Sequence, residues 1–214
     1  MNHYNAYLFD WDGTLARSLE VWLDSIYQQC EKYGVEVTRE ENARHFGDLE
    51  WPLLYGLPKH RLSEFIADSD AAAQKRLPDV PLYDDAKTLL ETLHAQGKKV
   101  GLVTTSLRRN LEVVIGKHSV RDLFDVIITS EDVTRHKPDP EGIQKALSQL
   151  AIAPSRAVFL GDTAHDMLAA RHAGIDSALF YPELHELIYD AAHLQAHAPT
   201  YTIHAWSELL DQLQ

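Results

Sequence analysis

The sequence predicts an α/β protein: a parallel sheet with helices on both faces, and a small all-helical unit inserted after the first strand. Three observations carry this. From Pro81 onward, short apolar segments alternate with amphipathic helical stretches, the pattern of a parallel sheet buried on both sides. One further apolar segment, Ala6-Tyr7-Leu8-Phe9, stands near the N-terminus. Between it and Pro81 the periodicity is helical, with no convincing strand. At 214 residues the chain is long enough for a core domain and a small insert.

The elements follow in order. Ala6–Phe9 reads as a buried strand that delivers Asp10 at its carboxyl end, and Gly13 permits a tight turn after it. Leu19 to Tyr33 is a helix: Leu19, Trp22, Leu23, Ile26, Cys30 and Tyr33 fall on one face, and Gly34 stops it. Thr38-Arg39-Glu40-Glu41 has the spacing of a capping box and opens a second helix. Arg61 to Lys75 is a third, closing at Leu77-Pro78. Beyond Pro81, helices are expected at Asp84–Gln96, 109–118, Glu141–Leu150, Asp166–Ala173, Glu183 to about Gln195, and Ser207–Leu213. Strands are expected at 99–104, 126–128, 158–160, 178–180 and 201–203.

Bulk properties narrow the function. The formal net charge of -12 repels nucleic-acid phosphates, so no nucleic-acid partner is expected. The same field requires any phosphate site to be locally positive. The single cysteine, Cys30, permits neither an intrachain disulfide nor a cysteine zinc cage and reads as a buried apolar residue. No apolar run is long enough to span a bilayer and no signal segment is evident, which leaves the cytoplasm as the default compartment.

In an open parallel sheet, ligands bind outside the carboxyl ends of the strands. Asp10, Asp12, Asp162 and Asp166 all fall at such ends, as do Thr104-Thr105-Ser106 and Lys137. Four convergent carboxylates repel one another unless a cation joins them, and a hard divalent ion such as Mg2+ is the natural partner. A hydroxyl and an ammonium beside that ion make a site for a tetrahedral dianion.

These residues resemble the motifs of the haloacid dehalogenase superfamily, in its phosphatase branch. The run Asp10-Trp11-Asp12-Gly13-Thr14-Leu15 matches the first motif and Thr104 the second. Lys137-Pro138 matches the third, and Gly161-Asp162-Thr163-Ala164-His165-Asp166 the fourth. All four stand in order at strand ends, and the resemblance spans the chain. It implies a Rossmann-like catalytic core of residues 1–16 and 81–214, with a helical cap of residues 17–80. It implies that Asp10 attacks phosphorus and forms an aspartyl phosphate, and that Asp12 is the acid and base. It implies a magnesium site of the Asp10 side chain, the Asp12 main-chain carbonyl and Asp162, with Asp166 in support. Thr104, the amide of Thr105 and Lys137 then hold the phosphoryl group. Arg108 and Arg109 could clamp a remote anionic group, and His45-Phe46-Gly47-Asp48 is a candidate substrate loop, with His45 and Phe46 as specificity residues.

The resemblance implies a phosphatase for a small phosphorylated metabolite, a monomer or homodimer, closest in type to the phosphoglycolate phosphatases. A sugar phosphomutase of the beta-phosphoglucomutase type shares every core motif and is the first alternative; it needs strong contacts to a second phosphate. A non-catalytic binding protein on the same fold is the second. A dehalogenase or phosphonatase is disfavoured because Asp12 is present. His193 and His197, four apart with no third ligand, read as surface histidines rather than a zinc site. Trp11 reads as packing against the cap or neck.

Overall fold

The structure, a computed structural model, describes residues 1, 3–46 and 48–213. Its strands are β1 (Ala6–Phe9), β2 (Lys99–Val103), β3 (Val126–Ile128), β4 (Ala157–Gly161), β5 (Asp176–Phe180) and β6 (Tyr201–Ile203). They form one sheet in the order β3-β2-β1-β4-β5-β6, and every pairing is parallel. β1 is central, and the strand order reverses beside it. That switch opens a crevice at the carboxyl ends of β1 and β4.

The two-residue side-chain period of β1 sorts its residues between two cores. Tyr7 and Phe9 join one cluster, with Leu89, Leu90 and Leu93 of α4 (Ala86–Ala95), Leu111, Val114 and Ile115 of α5 (Arg108–His118), and Trp206 and Leu209 of α9 (Trp206–Leu213). Ala6 and Leu8 join the other, with Ile143, Ala146 and Leu147 of α6 (Glu141–Leu150) and Ala169 and Ala170 of α7 (Ala164–Ala173). All four β1 residues are fully buried, each worth on the order of 1.5–3 kcal/mol for the larger side chains. A strand so anchored holds the residue that follows it rigidly.

The insert consists of α1 (Leu19–Tyr33), α2 (Arg39–Arg44), α3 (Leu62–Gln74) and short 3₁₀ turns. It has a core of its own: Cys30, Tyr33, Val35, Trp51, Leu57 and Phe65. Gly34 ends α1 in the left-handed region, and Thr38 and Glu41 form the expected capping box. Burial raises the Cys30 thiol to about 11, consistent with an inert packing residue. The two connections between insert and sheet run side by side. Ala16 and Leu82 form an antiparallel bridge, Arg17 N donates to Pro81 O at 2.9 Å, and Tyr83 N donates to Leu15 O at 3.0 Å. Trp11 is buried beside Leu77 and Val80 at this neck. No helix among the described residues is long and apolar enough to cross a membrane.

One element departs from expectation. Residues 183–195 do not form a single helix; a 3₁₀ turn, Glu183–Leu187, is followed by a separate short helix, α8 (Ala191–Gln195). The break has a local cause. Asp190 takes an extended conformation, and its carboxylate accepts from Ala192 N at 2.9 Å and His193 N at 3.4 Å, which starts a new helix. Tyr181 Oη donates to the Tyr189 carbonyl at 3.0 Å. Tyr189 is thereby turned towards the sheet crevice.

Candidate active site

Asp10 and Asp162 leave adjacent strands, Asp162 one residue further along β4 than the position opposite Asp10. Phe9 pairs with Leu160, and Asp10 N donates to Leu160 O at 2.8 Å. Asp166 lies in the first turn of α7, where Thr163 and Asp166 form a capping box. Its Oδ2 accepts from Thr163 N at 2.9 Å and Thr163 Oγ1 at 2.6 Å, which leaves Oδ1 to point elsewhere. Carboxylate oxygens of Asp10, Asp162 and Asp166 all lie within 4.8 Å of one another, and all three residues are buried. Lys137, on the loop before α6, closes the group. Its Nζ is 2.8 Å from Asp10 Oδ1 and 2.6 Å from Asp166 Oδ1.

Two glycines make this approach possible. At Gly13, with φ +77, a Cβ would stand 2.3 Å from Asp162 Oδ2. At Gly161 a Cβ would stand 2.5 Å from Asp166 Cγ. Only a residue without a side chain lets the backbone pass so close to the carboxylates.

The charges do not balance. Three buried carboxylates face one ammonium, so the set is short of positive charge. Burial, with repulsion from Asp166, lifts Asp10 to about 7 even though Lys137 pulls it down. Asp162 is raised well above the ordinary carboxylate range by burial and by Asp166 and Asp10, against the hydroxyls of Thr14 and Tyr189. Burial opposes the charge on Lys137, but Asp10 and Asp166 outweigh it and hold the ammonium protonated beyond its ordinary range. A divalent cation fits this set: the donors are hard oxygens and the deficit is positive charge.

Asp162 is held at both oxygens, by Thr14 Oγ1 at 2.9 Å and Tyr189 Oη at 2.9 Å. Trp206 Nε1 in turn donates to the Thr14 carbonyl at 3.2 Å, tying α9 to the turn that carries Thr14. A carboxylate fixed by two hydroxyls presents a set orientation to a metal.

Asp12 lies outside this cluster. Its Oδ1 accepts from Ser18 Oγ at 2.5 Å and Trp22 Nε1 at 2.8 Å, and its Oδ2 from Ser106 Oγ. Ser18 and Trp22 stand at the start of α1, and Ser106 on the loop after β2. The Asp12 carboxylate is therefore a point where the two halves meet.

A cavity of about 710 Å³ opens beside this group, a size typical of small-molecule sites; Asp162 and Asp166 lie outside its lining. Asp10, Asp12, Thr105, Ser106 and Lys137 line it. Thr104 is buried just behind, and its Oγ1 accepts from Ser106 N at 3.0 Å. Of the candidate specificity residues, Phe46 lines the cavity. His45 does not; it stacks on Trp51 at 5.4 Å and 10°. Gly47 lies outside the described residues. Arg108 does not line the cavity either. Its guanidinium is 2.5 Å from Asp132 and 3.3 Å from Thr129 Oγ1, and Arg109 pairs with Asp70. His193 and His197 pack edge to face at 5.1 Å near the surface.

Ser18, Trp22 and Tyr189 escaped the sequence reading, and Thr14 and Ser106, which stand within its motif runs, were given no role there. Ser18 and Ser106 had a signal: hydroxyls within a few residues of motif positions. Trp22 was concealed by its place on the apolar face of α1. Tyr189 gave no signal, because its contact with Asp162 depends on the break in the 183–195 segment.

The family model described as haloacid dehalogenase-like hydrolase matches residues 7–180. Pyrophosphatase PpaX of Bacillus velezensis is 30% identical over 96% of this chain and 94% of its own length. Its namesake from Anoxybacillus flavithermus is 29% identical, covering 98% and 96%. Among solved structures, a haloacid dehalogenase-like chain of Bacteroides fragilis superposes with a TM-score of 0.86 at 29% identity, covering 96% of this chain and 99% of that one.

Proposed function

This chain belongs to the haloacid dehalogenase-like hydrolases, and on that premise we propose that it is a magnesium-dependent phosphatase acting through an aspartyl phosphate on Asp10. The observation that carries the reading is the position of Asp10. It borders the cavity while sharing one ammonium, Lys137, with a buried carboxylate cluster short of positive charge.

Asp10, Asp162 and the Asp12 main-chain carbonyl would hold Mg2+, with Asp166 in support. The ion supplies charge to neutralise the phosphoryl oxygens and lets two anions approach. An Asp10 oxygen attacks phosphorus as the ester oxygen departs, forming the acyl phosphate. Asp12 gives its proton to the leaving oxygen, then takes one from the water that attacks phosphorus and frees Asp10. The Thr105 amide and Thr104 hydroxyl hold a phosphoryl oxygen, and Lys137 neutralises charge on Asp10 and the phosphoryl group. Residues 17–80 act as a cap over a core of residues 1–16 and 81–214 and exclude water from the cavity.

The test is phosphate release from a panel of esters with Mg2+ and with EDTA, together with intact-mass detection of a quenched phosphoenzyme. Pyrophosphate belongs in the panel because of the relatives' name. Absence of metal-dependent release from every member would defeat the reading. A phosphomutase would need a second-phosphate site, and among the described residues lining the cavity Lys137 is the only lysine or arginine.

Metal binding should depend on pH with a defined sign. Because Asp10 is raised to about 7, the metal-free folded protein holds protons that the unfolded chain has already lost between the ordinary carboxylate range and that value. Stability without metal therefore falls as pH rises through this window. Mg2+ competes with those protons. The rise in Tm on adding Mg2+ should be several degrees at pH 8 and much smaller at pH 5.5. A rise that is equal at both, or larger in acid, would count against these ligands.

Tyr189→Phe tests the orientation of Asp162. The Kd for Mg2+, measured by titration calorimetry, should increase about tenfold. Tm in EDTA should change little, since the lost bond is a single hydroxyl contact. An unchanged Kd would remove Tyr189 from the metal site.

A further inference from the structure

We infer that the leaving group of the substrate is an uncharged, mostly apolar alcohol or phenol, the transferred phosphoryl group being the only anion the substrate carries. The inference rests on the phosphatase reading above and concerns what the cap half of the same cavity recognises.

The two ends of the cavity differ in kind. At the core end stand Asp10 and Lys137. The cap contributes a wall of Trp22, Ile26, Phe46, Trp51, Phe65 and Ile66. A phosphoryl group fills a small part of 710 Å³, and the remainder is bounded largely by apolar side chains. Such a wall favours a ligand that gives up little hydration.

Charge points the same way. Among the described lining residues Lys137 is the only lysine or arginine, and it is committed to Asp10 and Asp166. Arg108 and Arg109, the cations nearest in sequence to the Thr105–Leu107 lining segment, are engaged by Asp132 and Asp70. The cap side instead offers the carboxylate of Asp48, while that of Asp70 is paired with Arg109. The lining imidazoles, His136 and His165, adjoin Lys137 and Asp166 in the chain. A carboxylate or second phosphate on the leaving group would therefore lose water against an apolar wall, find no uncommitted lysine or arginine among the described lining residues, and meet the like charge of Asp48.

The experiment compares kcat/KM for n-alkyl phosphates from ethyl to hexyl with that for phosphoglycolate and inorganic pyrophosphate, all with Mg2+. The alkyl esters share one leaving-group chemistry, so differences among them report the cap. Each added methylene should raise kcat/KM roughly threefold until the wall is filled. Phosphoglycolate, close in size to n-propyl phosphate, should be at least tenfold poorer than it. Leu49→Arg, at an exposed lining position, should narrow that gap by supplying the missing cation. A flat chain-length series, or an anionic substrate equal to or better than n-propyl phosphate, would overturn the inference and leave the phosphatase reading intact. No turnover on any arm would overturn both.

Discussion

Asp10→Asn should abolish turnover while leaving the metal-free fold as stable as before, or more so. An amide is a poor nucleophile and cannot form the acyl phosphate, so kcat should fall by about 10⁴ or more, the scale seen when a covalent nucleophile is removed. Stability should move differently. Asp10 is a buried carboxylate lifted to about 7 by its surroundings, so its ionised form costs folding free energy above that pH. The amide removes the charge and relieves Asp166 and Asp162, while Lys137 keeps Asp166 as a partner. Steady-state rates and Tm in EDTA at pH 8 test both halves. Activity within tenfold of the parent would refute the mechanism. A fall of many degrees in Tm would mean the charges at this site are better compensated than their distances indicate.

Lys137→Met should be damaging in both respects. Lys137 is the ammonium joining Asp10 and Asp166 at 2.8 and 2.6 Å, and its side chain is only 8% exposed. Breaking a buried pair from one side leaves uncompensated charge and costs about 3–5 kcal/mol. The lysine is held protonated beyond its ordinary range, so its contribution is complete at all pH values below that range and is lost only in strong alkali. Asp10 is different. Its carboxyl is raised to about 7, so in acid it takes up a proton, and the missing ammonium matters less. The Tm deficit in EDTA should be large at pH 8 and should shrink towards pH 5. Added Mg2+ should restore part of it at pH 8. Turnover should fall by about 10²–10³, as when a preorganised charge is removed from a transition state. A variant as stable as its parent in EDTA at pH 8 would exclude a supporting role for this ammonium.

Much of this molecule was readable in its residues, for identifiable reasons. β1 is fully apolar because both faces of a central parallel strand are covered, and such runs stand out in a sequence of ordinary composition. Asp10, Asp162 and Lys137 follow strands or precede helices, where local pattern and motif order coincide. The capping boxes at Thr38 and Thr163 are spacing rules, legible without a fold. What was hidden depended on distant parts of the chain. Residues 183–195 have helical character, and only the alternative partners of Asp190 and the Tyr189 carbonyl split them. Trp22 lies on the apolar side of its helix, yet its indole N–H reaches Asp12. Hydropathy cannot report that second use of an amphipathic ring. Arg108 illustrates the converse: a cation beside a phosphate-type loop invited a ligand, but Asp132 and Thr129 engage it.

The paired connections at the neck bear on the history open to this protein. Arg17 and Pro81 are joined by a backbone hydrogen bond, and Ala16 lies against Leu82. To the sheet, everything between them is a loop whose ends are already clipped together. The chain entropy of such a loop rises slowly, by only about 0.6 kcal/mol for each doubling of its length. Helices can thus be lengthened, replaced or lost within the insert at small cost to the pairing of β1 with β2. One set of walls can be exchanged for another, changing what reaches Asp10 without asking the sheet to fold anew.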